Sequence, residues 1–194
     1  MSKSEPASKS ERLKNVKWVV TIFMVTIVIS GVISFTSDKI MASSGMVTAF
    51  LILFSIVLVG ILFDTVGVAV TSADESPFHS MAARKVPGAQ EAIRLLRKAE
   101  RVSSICNDVI GDICGVVSGS AAATITLQLI QNFRFSVPTL ISLGMSALVA
   151  GFTVGGKAIS KGFAVNSSTE IVYFVGRFIF TLNKIMNLFR RNKR

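Results

Sequence analysis

Apolar residues along this chain gather in four long blocks, residues 18–36, 46–72, 103–131 and 137–156. Each is about as long as the ~20 residues that a helix needs to cross a bilayer, so the pattern predicts four membrane-spanning helices. Asp64 alone interrupts the second block, and Asp108 and Asp112 interrupt the third. The connections 37–44 and 132–136 are short, and Pro138 suits the first turn of the fourth helix, where its missing N–H costs nothing.

Residues 74–101 are patterned differently. Asp74 or Ser76 can cap a short helix, Pro87-Gly88 breaks it, and a second helix follows with Ala92, Ile93, Leu96 and Ala99 on one stripe. After Ser167-Ser168, Ile171, Phe174, Phe178, Leu182 and Ile185 share one face, with Glu170, Arg177, Lys184 and Arg191 on the other. Such a helix lies in a membrane interface, and its internal charges weigh against a fifth crossing. The chain thus divides into a basic tail at 1–17, an N-terminal span at 18–36, a three-span core at 46–165, and an amphipathic juxtamembrane helix with a basic tail at 168–194.

Composition sharpens the class. Charged residues make up 16% of the 194, against about a quarter in soluble domains, and the mean hydropathy is +0.61. The net charge of +10 raises the question of nucleic acid, but its distribution answers it. Of 21 Lys and Arg, five precede the first span, six lie between the second and third, and eight follow the fourth, leaving only Lys39 and Arg134 for the other two loops. By the positive-inside rule this places both termini and the 74–101 segment in the cytoplasm. The basic excess is therefore a matter of topology and anionic headgroups, and the partner it implies is the lipid bilayer of the cell (plasma) membrane, with no nucleic acid. The first span is too long for a cleaved signal and reads as retained. Cys106 and Cys114 lie eight residues apart on one helix, too far to bridge, and read as buried apolar thiols.

The candidate chemistry is carboxylate. A charge in hydrocarbon is costly, so intramembrane acids turn toward protein or a wet cavity and hold ions, protons or a cationic partner. Counting ~1.5 Å per residue from the inner ends of their helices puts Asp64 at ~12 Å, Asp108 at ~9 Å and Asp112 at ~15 Å, one common layer. Asn107 and Ser104 enter it from the third span and Thr153 or Ser146 from the fourth. Oxygen donors without paired His or thiolate suit hard cations, magnesium or sodium, better than zinc or copper. The plainer reading is structural: Asp64 caps a helix or pairs with Lys157 or Lys161, and Asp108 and Asp112 hydrogen-bond neighbouring helices. Gly111, Gly115, Gly119 and Ala123 recur every four residues, a spacing that lets another helix approach. No nucleophile–base pair, phosphate loop or Cys/His ligand set is present, so an enzyme is not expected.

Four stretches together resemble the cyclin-M-type (CNNM/CorC) magnesium-transporter transmembrane domain. Phe63-Asp-Thr-Val-Gly-Val-Ala-Val-Thr-Ser72 is similar to the end of that family's first helix, and Val86-Pro-Gly-Ala-Gln-Glu-Ala-Ile-Arg-Leu-Leu-Arg-Lys-Ala-Glu-Arg-Val102 to its cytoplasmic helix and the lead into the next span. Cys106-Asn107-Asp108 stands where the family has Gly-Asn-Asn or Gly-Asn-Thr. Gly156-Lys-Ala-Ile-Ser-Lys-Gly-Phe-Ala164 resembles its Gly-Glu-Ile-x-Pro-Lys-x-Leu-Ala signature. The resemblance covers residues 46–190 and implies a homodimeric three-helix core with a helical belt, binding magnesium and exchanging it with sodium as coupling ion. Of the family's ligands Asn107 carries over. Asp64 takes the first serine position, Val66 and Gly67 replace the second serine and the glutamate, and Lys157 and Ser160 replace the later glutamate and proline. The chain ends where the family's regulatory CBS domains begin, which leaves room for a separate regulatory protein.

The expected architecture is an all-α integral membrane protein: an additional N-terminal span, a three-helix core, two short cytoplasmic-side helices and a C-terminal amphipathic helix. The expected function is divalent-cation transport, magnesium foremost, through a layer of Asp64, Asn107, Asp108 and Asp112. The alternative is a non-transporting membrane scaffold or regulatory subunit.

Overall fold

The computed structural model describes the backbone of residues 9–43, 45–133 and 138–191, and the side chains of 16–41, 45–132 and 138–187. Among these residues all regular structure is helical. In chain order the helices are α1 (Lys9–Ser43), α2 (Met46–Ser72), α3 (Ser76–Ala83), α4 (Ala89–Leu96), α5 (Ala99–Ser104), a π-helical segment (Ile105–Gly111), α6 (Asp112–Phe133), α7 (Pro138–Asn166) and α8 (Ser168–Arg191). Four stretches are long and apolar enough to cross a membrane: Val16–Met41, Met46–Ser72, Ala99–Asn132 and Pro138–Asn166. Among the described residues α8 is not one of them. Large apolar side chains on the outer faces, such as Phe23, Leu51, Phe54 and Phe152, stand exposed, as a lipid-facing surface requires.

The bundle is built around α2, which packs against α6, α7, α8 and the π segment, while α1 lies chiefly along α6. Glycine sets these distances. A Cβ on Gly60 would fall 2.8 Å from Cys114 Cβ, and one on Gly156 would strike Ile61. Small residues at such crossings let the helix backbones approach closely. Polar contacts hold α1 toward both ends: the Arg101 guanidinium lies 5.4 Å from the Trp18 ring centre, and at the other end Gln128 Nε2 donates to Met41 O at 3.1 Å. There Met41, Ala49, Leu53, Ala121, Ala122 and Ile125 form a buried cluster. Further along, Val109, Ile113 and Val117 pack with Ile22 and Ile56.

The opposite end carries a small helical cap. Asp74 Oδ1 accepts from Ser76 N at 3.2 Å, closing the turn into α3, and Pro77 occupies the first turn. Phe78 is fully buried with Ala69, Val70, Ile93 and Val172. Lys85 and Gly88 take left-handed φ of 58° and 91°, which stops α3 and starts α4. α4 then crosses α8 at a glycine pair. A Cβ on Gly88 would lie 2.6 Å from Arg177 N and Cα, and one on Gly176 would lie 2.6 Å from Gly88 O. α8 therefore buries Ser168, Val172 and Gly176 on the bundle and exposes an adjoining apolar flank of Phe174, Phe178, Leu182 and Met186.

Four elements differ from the sequence expectation, the first being α1, which starts at Lys9 within the expected tail and runs on to Ser43 through most of the connection expected at 37–44. The second short helix of 74–101, expected to carry Ala99 on its apolar stripe, stops at Leu96, because Arg97-Lys98 form a turn before α5 begins. The third span is continuous from Ala99 but passes through a π segment, for which the apolar pattern carries no sign. The fourth helix, expected to end at Gly156, continues to Asn166, since no proline intervenes and Ala158, Ile159 and Phe163 sustain it. Lys157 is thereby moved from a flanking loop into the body of a helix. The turn at 134–137 and the basic tail beyond Arg191 lie outside the described residues.

Candidate functional site

Between the cap and the apolar clusters lies a polar layer made by α2, the π segment and α7. Asp64, on α2, is 4% exposed. Its Oδ1 faces Lys157 Nζ across 4.0 Å, and its Oδ2 is buried with no hydrogen-bond partner. Lys157 reaches it from α7, which the extension past Gly156 makes possible, and Nζ also lies 3.5 Å from Gly111 O. Gly111 is a glycine for a reason visible here: an added Cβ would meet both Cys106 O and Lys157 Nζ at 3.3 Å and Asp64 Oδ1 at 3.7 Å. Carboxylate, ammonium and carbonyl thus converge on one point.

One turn along, Asn107 enters from the π segment. Its Nδ2 donates to Ser103 Oγ at 3.2 Å, while its Oδ1 is buried and unpartnered. Gly67 makes the space. A Cβ there would overlap Asn107 Oδ1 and lie 2.7 Å from Cγ. A buried acceptor without a donor costs about 1–3 kcal/mol, more when it is charged, and two stand here within one turn of α2. A further unpartnered buried oxygen, Asp38 Oδ1, lies at the far end of α1.

The expected layer divides. Asp64 and Asn107 face into the bundle, but Asp108 and Asp112 are exposed, on an outer stripe with Ile105, Val116, Gly119, Ala123 and Leu127. Residues four apart keep one face through the π segment, so 107 and 111 share the inner side and 108 and 112 the outer. The glycine row divides likewise: Gly111 is packed, whereas Gly115 and Gly119 have nothing within 4 Å of an added Cβ. From the fourth helix Thr153 Oγ1 donates to its own turn, at Val149 O, and Ser146 is exposed, so neither supplies the layer. Ser103, not Ser104, is the hydroxyl against Asn107. Lys161 is exposed, leaving Lys157 as the lysine that meets Asp64. Both cysteines are free thiols.

Among the described residues no three His, Cys, Asp or Glu side chains come together as a metal cluster. Any cation held here would draw on one carboxylate, one side-chain amide oxygen and one backbone carbonyl, a wholly hard donor set. Its charge of −1 is met, loosely, by Lys157. Comparison with family models, with curated proteins and with solved structures finds no match to the chain.

Proposed function

We propose that this chain is an integral membrane protein that binds a hard cation at the Asp64–Asn107–Gly111 layer and carries it across the bilayer, with magnesium as the leading ion and sodium as a coupling ion. The observation that carries the reading is the pair of buried oxygens without donors, Asp64 Oδ2 and Asn107 Oδ1, inside a bundle of four membrane-length helices. Unpaired acceptors at such depth favour a bound cation, which supplies what neither water nor protein does. The resemblance to the cyclin-M-type (CNNM/CorC) domain adds support, through Asn107 above all. Asp108 and Asp112, which face outward from the third span, take no part in the site in this reading.

Reconstituted into liposomes, the wild type is expected to take up magnesium against a magnesium-free interior. Asp64→Asn is expected to reduce that flux at least about tenfold, because a water-poor site finds no substitute for the lost charge. A dye-monitored flux that is equal in wild type, Asp64→Asn and empty vesicles defeats the reading.

The second reading, a scaffold or regulatory subunit, has its own observation. Lys157 already neutralises Asp64, and the glycines on the outer face of α7, Gly144, Gly151, Gly155 and Gly162, stand open at helix-packing spacing. Absence of flux together with a stable complex with a second membrane protein would favour it.

Both readings set the termini and the 74–101 cap in the cytoplasm, with α8 lying in the inner leaflet surface. A reporter fused after Arg194 or inserted at 85–90 is accordingly expected to read cytoplasmic, because seven basic residues from Lys161 onward and six between the second and third spans anchor those regions. An external signal at either point overturns the orientation.

A further inference from the structure

Lys157 stands about two and a half turns before the end of α7, some ~14 Å along the helix, a depth from which a lysine stem reaches toward headgroups. Its ammonium turns instead to Asp64 and Gly111 O, and the side chain is 22% exposed. Two features set the contact apart from an ion pair that serves stability. The separations of 4.0 and 3.5 Å are long beside the ~2.7–2.9 Å of a charge-assisted hydrogen bond. The surrounding acceptors are also in excess: Asp64 Oδ2 and Asn107 Oδ1 find no donor although an ammonium carries three N–H groups. Buried pairs that stabilise a fold fill their remaining lone pairs. This one leaves them open beside a weakly held cation on a flexible stem.

We propose that Lys157 is a tethered competitor for the ion site. Its ammonium occupies the place of the free cation between Asp64 and Gly111 O, and the ion binds by displacing it toward the α8 end of α7, where Lys161, Gly162 and Phe163 are exposed. The inference rests on the ion reading above and adds the regulation of the same site. Exchange keeps the layer compensated throughout, since Asp64 trades one positive charge for another and is never left bare in low dielectric. Sodium preserves the charge of the layer and magnesium raises it by one, so the two ions are distinguished by how completely each displaces the ammonium. The apparent affinity for either is lowered by the fraction of time that Lys157 holds the site.

The test uses the full-length protein in detergent, titrated separately with sodium chloride and magnesium chloride at ionic strength held constant with choline chloride, and read by thermal shift. In Lys157→Met the half-saturating concentration of the better ion is expected to fall about tenfold or more, with Lys157→Gln moving in the same direction. Adding Asp64→Asn to Lys157→Met is expected to abolish the response. Displacement is read without mutation from reductive methylation of Lys157, quantified by peptide mass spectrometry, which is expected to rise about threefold at saturating ion over the choline control. Half-saturation equal in wild type and both Lys157 variants, or methylation that does not change as the ion saturates, overturns the competitor while leaving the ion site standing. No response to either ion in any preparation removes the site itself, and the competitor with it. Should neither variant fold, the methylation measurement decides.

Discussion

Replacing Asp64 by leucine alone is expected to lower stability by about 2–4 kcal/mol, whereas adding Lys157→Met to it is expected to restore most of the loss. Leucine leaves the Lys157 ammonium in a low-dielectric layer with Gly111 O, at 3.5 Å, as its remaining acceptor among the described contacts. Breaking a buried pair from one side typically costs ~3–5 kcal/mol. The expected loss is smaller because the lysine stem is partly open and can carry its charge toward the end of the helix. Removing both charges also removes the orphaned Oδ2, so the double change has little left to penalise. Thermal or denaturant unfolding of the four members of this cycle in one detergent measures the coupling. A double variant as unstable as the sum of the singles would mean that the two charges act independently and that the pair is incidental.

The second large effect concerns the crossing of α4 and α8. Gly88→Ala and Gly176→Ala are each expected to destabilise by about 2–4 kcal/mol, Gly88 the more, because its φ of 91° adds backbone strain to the overlap. The obstacle in each case includes backbone, the N and Cα of Arg177 or the carbonyl of Gly88, which no rotamer change relieves. Relief requires α8 to lift from α4, exposing Val172 and Ala92 from the cap's core. Increased proteolysis within 84–101 accompanies the fall in thermal midpoint. Gly115→Ala and Gly119→Ala serve as controls: with nothing within 4 Å, they are expected to be neutral or to gain up to ~1 kcal/mol from helix propensity. A Gly176→Ala protein as stable as these controls would show that the crossing is looser than its geometry.

What the sequence makes legible follows from which forces are periodic. The four spans, the α3 and α4 segments, the break at Pro87-Gly88 and the two-faced C-terminal helix all rest on apolar spacing or backbone chemistry that a single residue string encodes. Asn107 and Asp64 are recognisable for the same reason, as polar groups in apolar runs. The pairing of Asp64 with Lys157 is visible only as one option, because a hydropathy window closes at Gly156 while helix propensity carries α7 to Asn166. The outward turn of Asp108 and Asp112 is not legible at all. It depends on how the helix is rotated against α2 and α7, and for the residues before α6 also on the hydrogen-bond register of 105–111, where an i→i+5 segment has the same apolar composition as an i→i+4 one. Likewise the regular four-residue spacing draws the eye to Gly115 and Gly119, whereas the glycines that set helix distances within the chain, Gly60, Gly67 and Gly156, follow no single period.

That register makes the third span a phase element. A π turn accommodates one residue more than an α turn, so rewinding 105–111 as α-helix with no residue lost would rotate everything before it by about 100° relative to α6. Under such a rotation Asn107 would leave the gap beside Gly67 and a carboxylate would swing toward it. The choice of which oxygen sits beside Gly67, amide or acid, is thus stored in the winding of seven residues rather than in the identity of any one of them. A one-residue deletion that accompanied the rewinding would cancel the rotation and leave the flanking faces where they are.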